Sequence, residues 1–230
     1  MSVPSTPLVE AERLTKDYQM GKTTIHAVQG VSLSVRRGAF TVISGPSGSG
    51  KSTLLHLLGC LDKPSSGTLR IADQVVSTLN DQQLSAFRAQ RLGFIFQSFN
   101  LIPVLCAWEN VEYPMRINRV PAKESKERAL EMLASVGLGA YSKHRPNELS
   151  GGQCQRIAIA RALVMKPDLV LADEPTANLD SATGEHIMEL MHELKHKLGT
   201  AFVISTHDPM VAAQAEQRII MHDGCLQNPA

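Results

Sequence analysis

Four short runs in the chain lack any polar alternation: FTVIS (40–44), LGFIF (92–96), LVLAD (169–173) and AFVIST (201–206). A strand with one wet face alternates apolar and polar residues, so unbroken runs predict strands covered on both faces, as in a parallel sheet between helices. Between the last two runs, Ile187, Leu190, Met191, Leu194 and Leu198 recur at helical spacing and Gly199 supplies a stop. Strand, helix, strand is the repeating unit of α/β folds. The first forty residues follow another rule: IHAVQGVSLSV alternates and RRG follows, which predicts antiparallel strands with a turn. Residues 107–165 read as mostly helical, and there Pro121 opens a segment with Ala129, Leu130, Leu133 and Val136 on one face and Gly137 as terminator. The pattern predicts one domain over 1–230, with an α/β core at about 1–96 and 167–230, an N-terminal antiparallel β subdomain and an inserted helical subdomain at about 97–166.

The first chemistry falls at a strand end. GPSGSGKST, with Gly45, Pro46, Ser47, Gly48, Ser49, Gly50, Lys51, Ser52 and Thr53, fits G-x-x-x-x-G-K-[ST] between the FTVIS strand and the helical STLLHLLG. Glycines at these positions let backbone N–H groups wrap phosphates, and the helix that follows points its positive end at them. Lys51 brings a charge to the outer phosphates, the Ser52 hydroxyl suits Mg²⁺, and Thr53 supports phosphate contacts from the helix start. At the other end of the core, LVLADEP closes a strand with Asp173 and Glu174. Ligands of open α/β sheets bind beyond the carboxyl ends of strands, which sets these acids beside the phosphate loop. Asp173 is then a Mg²⁺ ligand and Glu174 a base for water; without the loop, the same acids would read as an ordinary surface pair before Pro175.

A second glycine pair stands in LSGGQ (149–153), where the apolar helix IAIARAL is about to start. Ser150 and Gln153 have the spacing of a capping box, in which each side chain satisfies backbone N–H at the helix start. That leaves Gly151 and Gly152, each costing a helix about 1 kcal/mol relative to Ala. Bare backbone at a positive helix end suits a phosphate, yet the core already has a phosphate loop. The economical reading is that this helix serves a nucleotide bound to another copy of the chain.

Size and charge narrow the class. At 230 residues the chain buries a sizeable core without disulfides or a metal staple. A net charge of +1 with interspersed signs argues against nucleic acid held on a broad basic face. Cys60, Cys106, Cys154 and Cys225 are scattered singly, as in a reducing compartment, with no zinc or redox spacing. MSVPSTPLVEAER lacks the basic start and apolar core of an export signal, HDGCLQNPA is a short polar tail, and LIPVLCAW is far too short to span a bilayer.

Taken together, these motifs resemble the ATP-binding cassette (ABC) ATPases, the nucleotide-binding subunits of ABC transporters. LSGGQ matches the family signature, and the other motifs follow in family order along essentially the whole chain. The resemblance implies a P-loop NTPase core and the cofactors ATP and Mg²⁺. It makes Tyr18 in KDYQMG an adenine-stacking aromatic, Gln97 in FIFQSFNL a contact to Mg²⁺ and the attacking water, Asp180 in NLD a dimer contact, and His207 in STHD a contact to the γ-phosphate. Taken alone, Tyr18 reads as a packing aromatic, Gln97 as a turn residue, Asp180 as a cap for the helix starting at Ser181, and His207 as a strand-end structural histidine. The family implies a head-to-tail homodimer in which Gly45–Thr53, Asp173, Glu174 and His207 of one copy meet Ser150–Gln153 of the other across ATP.

GPSGSGKSTLLHLLGCLDKPSSG, LGFIFQSFNLIP and RIAIARALVMKPDLVLADEPTANLD are most similar to the family branch that serves lipoprotein release and macrolide export. Membership there implies outward or extractive transport and a place on the cytoplasmic face of the membrane. The partners would be membrane permease subunits of the MacB, LolC or LolE kind, docked around Phe99–Met115 through Phe99, Leu101, Ile102, Pro103, Trp108 and Val111. Other readings are a soluble cassette acting on ribosomes, DNA or iron–sulfur assembly, which a single cassette without coiled coil or basic tail opposes, and a regulatory cassette that signals through a membrane partner without moving cargo.

Overall fold

All four unalternating runs become strands of one sheet. A computed structural model describes residues 6–227; the first five and the last three residues of the chain, parts of the MSVPSTPLVEAER and HDGCLQNPA segments, lie outside it. In chain order the elements are β1 (Val9–Met20), β2 (Thr23–Val35), β3 (Phe40–Ser44), α1 (Lys51–Leu58), β4 (Ser66–Ile71), β5 (Gln74–Val75), α2 (Asp81–Arg91) and β6 (Leu92–Ile95). They continue with α3 (Ala107–Ile117), α4 (Ala122–Ser135), α5 (Gly151–Leu163), β7 (Leu169–Asp173), α6 (Ser181–Leu198), β8 (Ala201–Thr206), α7 (Pro209–Ala213), β9 (Gln217–His222) and β10 (Cys225–Gln227).

The larger sheet has the order β10-β9-β3-β8-β7-β6, with every pairing parallel except β10 on β9. Its central strands explain their own sequences, because alternate side chains enter two different cores. Phe40, Val42, Phe202 and Ile204 pack with α3–α6, while Ile43, Ala201 and Val203 pack with α1 and the second sheet. No position on β3 or β8 is left for a polar face to water, so neither strand alternates.

That second sheet, β2-β1-β4-β5, is wholly antiparallel. It extends beyond the first forty residues, since β4 and β5 join its free edge. Their short run, SGTLRI, alternates too weakly to stand out by pattern. The helices α3, α4 and α5 all fall within 97–166, and α4 begins after Pro121 and ends just before Gly137. α2 is an additional helix outside that stretch, started by a capping box between Asn80 and Gln83.

The parallel register sets the site. Ser44 pairs with Thr206 and Asp173 with Ser205. The loops that leave β3, β7 and β8 therefore emerge side by side at the carboxyl ends of the central strands.

Candidate functional site

The loop from Gly45 to Gly50 carries the chain from β3 into α1. Gly50 is the N-cap of α1 with φ +95°, and a Cβ there would lie 2.3 Å from the Ala27 carbonyl oxygen, so any side chain would collide with β2. Lys51 is buried, and its Nζ donates to the carbonyls of Gly45 (2.9 Å) and Pro46 (2.8 Å). An ammonium has three N–H bonds, so the loop shapes Lys51 and leaves one donor for a ligand. Ser49 is buried, and its hydroxyl has no hydrogen-bond partner among the described residues. An orphaned hydroxyl in a loop rich in backbone N–H fits a phosphate oxygen.

Asp173 at the end of β7 accepts from the Ser52 hydroxyl at 3.0 Å and from the Ser205 hydroxyl. Ser52 and Asp173 bring hard oxygens of the kind Mg²⁺ takes, few in number, as suits an ion that keeps several waters. Among the described residues no group of three or more His, Cys, Asp or Glu could hold a metal by itself. Glu174 takes φ +45°, with its N–H on the Ser205 carbonyl (3.0 Å) and its carbonyl accepting from Ala177 (3.2 Å). This turn swings its carboxylate toward the end of β8. There His207 Nδ1 lies 2.7 Å from Glu174 Oε1, and the Thr206 hydroxyl donates to Oε2 at 3.2 Å. A carboxylate oxygen accepts, so the Nδ1–H tautomer of His207 is the one that donates to it.

These groups border a cleft of about 760 Å³ lined by Ser47, Gly48, Gly50, Lys51, Ser52, Thr53, Gln97, Glu174 and His207. The sequence missed the opposite wall. Ile25, His26, Ala27 and Gln29 of β2, with Asp223 and Gly224 of the β9–β10 turn, complete the lining. Gly224 N–H donates to the Ser49 carbonyl (3.0 Å), and the Gln29 amide donates to the Asp223 carbonyl (2.8 Å), which ties that turn to the loop. No local motif marks these residues, because only the folding of β2 over the loop brings them there. Tyr18 stands beside the cleft and is not in its lining. Its hydroxyl donates to Asp62 (2.8 Å), and burial, followed by Asp62, pushes the phenol above its usual range.

The start of α5 lies elsewhere. Ser150 and Gln153 form the reciprocal capping box, at 2.9 and 3.3 Å, and neither they nor Gly151 and Gly152 line the cleft. The two glycines need less of a ligand than their helix cost suggested. A Cβ on Gly152 would lie 2.6 Å from Thr183 Cγ2, and one on Gly151 3.3 Å from Leu179 Cδ2, so close packing against α6 and the loop just before it explains much of their presence. Asp180 does cap α6, accepting from the Thr183 N–H (3.0 Å) and hydroxyl (2.7 Å).

The segment after Gln97 is only partly a surface. Val111 is fully buried and is not a docking contact, while Leu101 and Trp108 are partly buried and pack one side against the core. α3 turns that edge inward and presents Tyr113 and Ile117 instead, each well exposed. With Pro114, Phe94, Arg88 and Arg161 they line an apolar groove of about 320 Å³. Arg161 also reaches the chain just after Gln97, donating to the carbonyls of Phe99 (2.7 Å) and Asn100 (2.5 Å).

Comparison with known proteins agrees with this geometry. Residues 28–177 match the ABC transporter family. The chain is 49% identical over 96% of its length to an ABC transporter ATP-binding protein of Thermotoga maritima, 94% of which is covered. It is 47% identical over 97% of its length to the lipoprotein-releasing system ATP-binding protein LolD of Alcanivorax borkumensis, 98% of which is covered. A dimeric, post-hydrolysis structure of the ATP-binding cassette MJ0796 of Methanocaldococcus jannaschii, bound to ADP and Pi, superimposes with a TM-score of 0.88 at 45% identity, covering 96% of this chain and 97% of that one.

Proposed function

The chain belongs to the ABC transporter family, and from that premise we propose how its own residues bind ATP and hydrolyse it. It is the ATP-binding and ATP-hydrolysing subunit of a transporter, and it works as a homodimer. In our reading the amides of Gly45–Thr53 and the free donor of Lys51 hold the phosphates, and Tyr18 lies beside the adenine end. Ser52, Asp173 and Gln97 would hold Mg²⁺, which when bound offsets the charge that develops on the phosphates. Glu174 accepts a proton from water as its oxygen attacks the γ-phosphorus and the bond to the β-phosphate oxygen breaks, releasing ADP and phosphate. His207 and Thr206 hold both carboxylate oxygens, so the base is oriented before the water arrives.

Ser150–Gln153 of the second copy closes the far side of each nucleotide, with Asp180 at the seam. Support comes from the placement of that helix start outside its own chain's cleft. The observation that carries the reading is the Glu174–His207 pair standing beside the phosphate loop in one cleft.

Similarity to LolD favours extraction or export driven through membrane subunits of the LolC, LolE or MacB kind, with this chain on the cytoplasmic face. No helix among the described residues is long and apolar enough to cross a membrane. The groove at Tyr113, Pro114 and Ile117 is the surface we assign to the permease, at the edge of the helical subdomain 97–166. Glu174→Gln with ATP and Mg²⁺ is expected to accumulate a nucleotide-bound dimer on size exclusion. A variant that stays monomeric, alone and with its membrane partner, would overturn the reading.

A further inference from the structure

Gln155 lies on α5 two residues beyond the capping box and is wholly buried. Its Nε2 donates to the Pro175 carbonyl at 2.6 Å, while its Oε1 is buried without a partner among the described residues. The amide cannot be turned the other way, since that would set its oxygen against the Pro175 oxygen. A buried acceptor left unpaired costs about 1–3 kcal/mol, and an apolar side chain of the same shape avoids the cost. Packing alone therefore favours Met or Leu here. What the amide adds is a single bond, and that bond goes to the residue following Glu174.

We propose that Gln155 is a positioning residue, tying the helix whose start serves a second copy's nucleotide to the turn that aims Glu174 at its own. The proposal rests on the functional reading above. Glu174 is held from two sides. His207 and Thr206 grip its carboxylate from β8, and Gln155 grips its backbone turn, at Pro175, from α5. The first turn of α5 also packs closely on α6, where a Cβ on Gly152 would lie 2.6 Å from Thr183 Cγ2. A shift of Ser150–Gln153 against a phosphate thus moves Gln155 with the helix and reaches Glu174 through one hydrogen bond. Each site then aims its base fully only when the helix of the same chain has engaged the neighbouring nucleotide.

The test compares Gln155→Met and Gln155→Glu with the parent full-length chain. A fluorescent ATP analogue reports affinity, phosphate release reports kcat, and both are followed from pH 8 downward. The expected result is affinity within about twofold of the parent and kcat reduced by about 10- to 100-fold, the scale of a small misplacement of a catalytic group. Gln155→Glu loses its donor when ionised and regains an O–H for the Pro175 carbonyl when protonated. Its kcat relative to the parent should rise as pH falls, while that of Gln155→Met stays flat. A Met variant with kcat within twofold of the parent overturns the proposal. So does a loss of affinity that matches the loss of kcat, or a Glu variant whose ratio ignores pH. A parent chain that does not hydrolyse ATP would instead overturn the functional reading, and the proposal with it.

Discussion

His207 Nδ1 stands 2.7 Å from Glu174 Oε1, joining the end of β8 to the end of β7. The two residues are 33 positions apart in sequence, and only the parallel pairing of β7 with β8 makes them neighbours. His207→Ala should free one carboxylate oxygen and leave the phosphate loop intact. Hydrolysis should fall roughly 100-fold while ATP affinity changes by less than about threefold. Parallel phosphate-release and nucleotide-binding titrations would check this, and equal losses in both would contradict it.

Gly152 offers a way to separate packing from ligand approach. Gly152→Ala should lower the denaturant midpoint by an amount equivalent to about 1–3 kcal/mol, because the new methyl meets Thr183 Cγ2. Adding Thr183→Ser removes that Cγ2 and keeps the hydroxyl that caps with Asp180. Stability should return in the double variant and ATPase activity should not. Recovery of both would make packing on α6 the whole reason for the glycine.

Glu216 gives the stability a pH dependence. Burial opposes its ionisation, but the Lys195 ammonium and the Phe40 N–H outweigh this and hold its carboxyl below the ordinary value of 4.5. A depressed carboxyl contributes stability above its unfolded value, and the contribution disappears as pH falls through the folded one. Glu216→Gln should therefore unfold at a lower temperature than the parent at pH 7. The gap should narrow below about pH 4.5 and close in stronger acid. A gap of constant size across that range would rule out the ionised pair as its source.

The thiols should be quiet where they are buried. Burial pushes Cys60 up to about 11, with Arg88 opposing only in part, and burial also raises Cys154. At pH 7.5 iodoacetamide should leave both unmodified in the native protein and alkylate them after unfolding, as peptide mass spectrometry would report. Fast native labelling of Cys154 would show that the start of α5 opens in solution.

Legibility in the sequence followed the range of the interaction. Gly45–Thr53, the Ser150–Gln153 box and the Asp180 cap are contacts between residues a few positions apart, so spacing alone reveals them. Ile25, His26, Asp223 and Gly224 carry no local signature and enter the cleft only through sheet pairing. Leu101, Trp108 and Val111 belong to a mostly apolar stretch that reads equally as surface or core. Within α3 the helix turn decides, sending Val111 inward and Tyr113 and Ile117 out.

By itself the sequence determined which segments are strands buried on both faces, where the phosphate loop lies and which acids end a core strand. Each of these is a one-dimensional pattern set by local backbone geometry and hydrophobic period. Tertiary structure alone decided that Glu174 meets His207, that Gly152 has no room for a methyl group, and that a buried amide on α5 reaches the turn beside Glu174. Those relations depend on strand order and helix packing, and chain spacing carries no record of either.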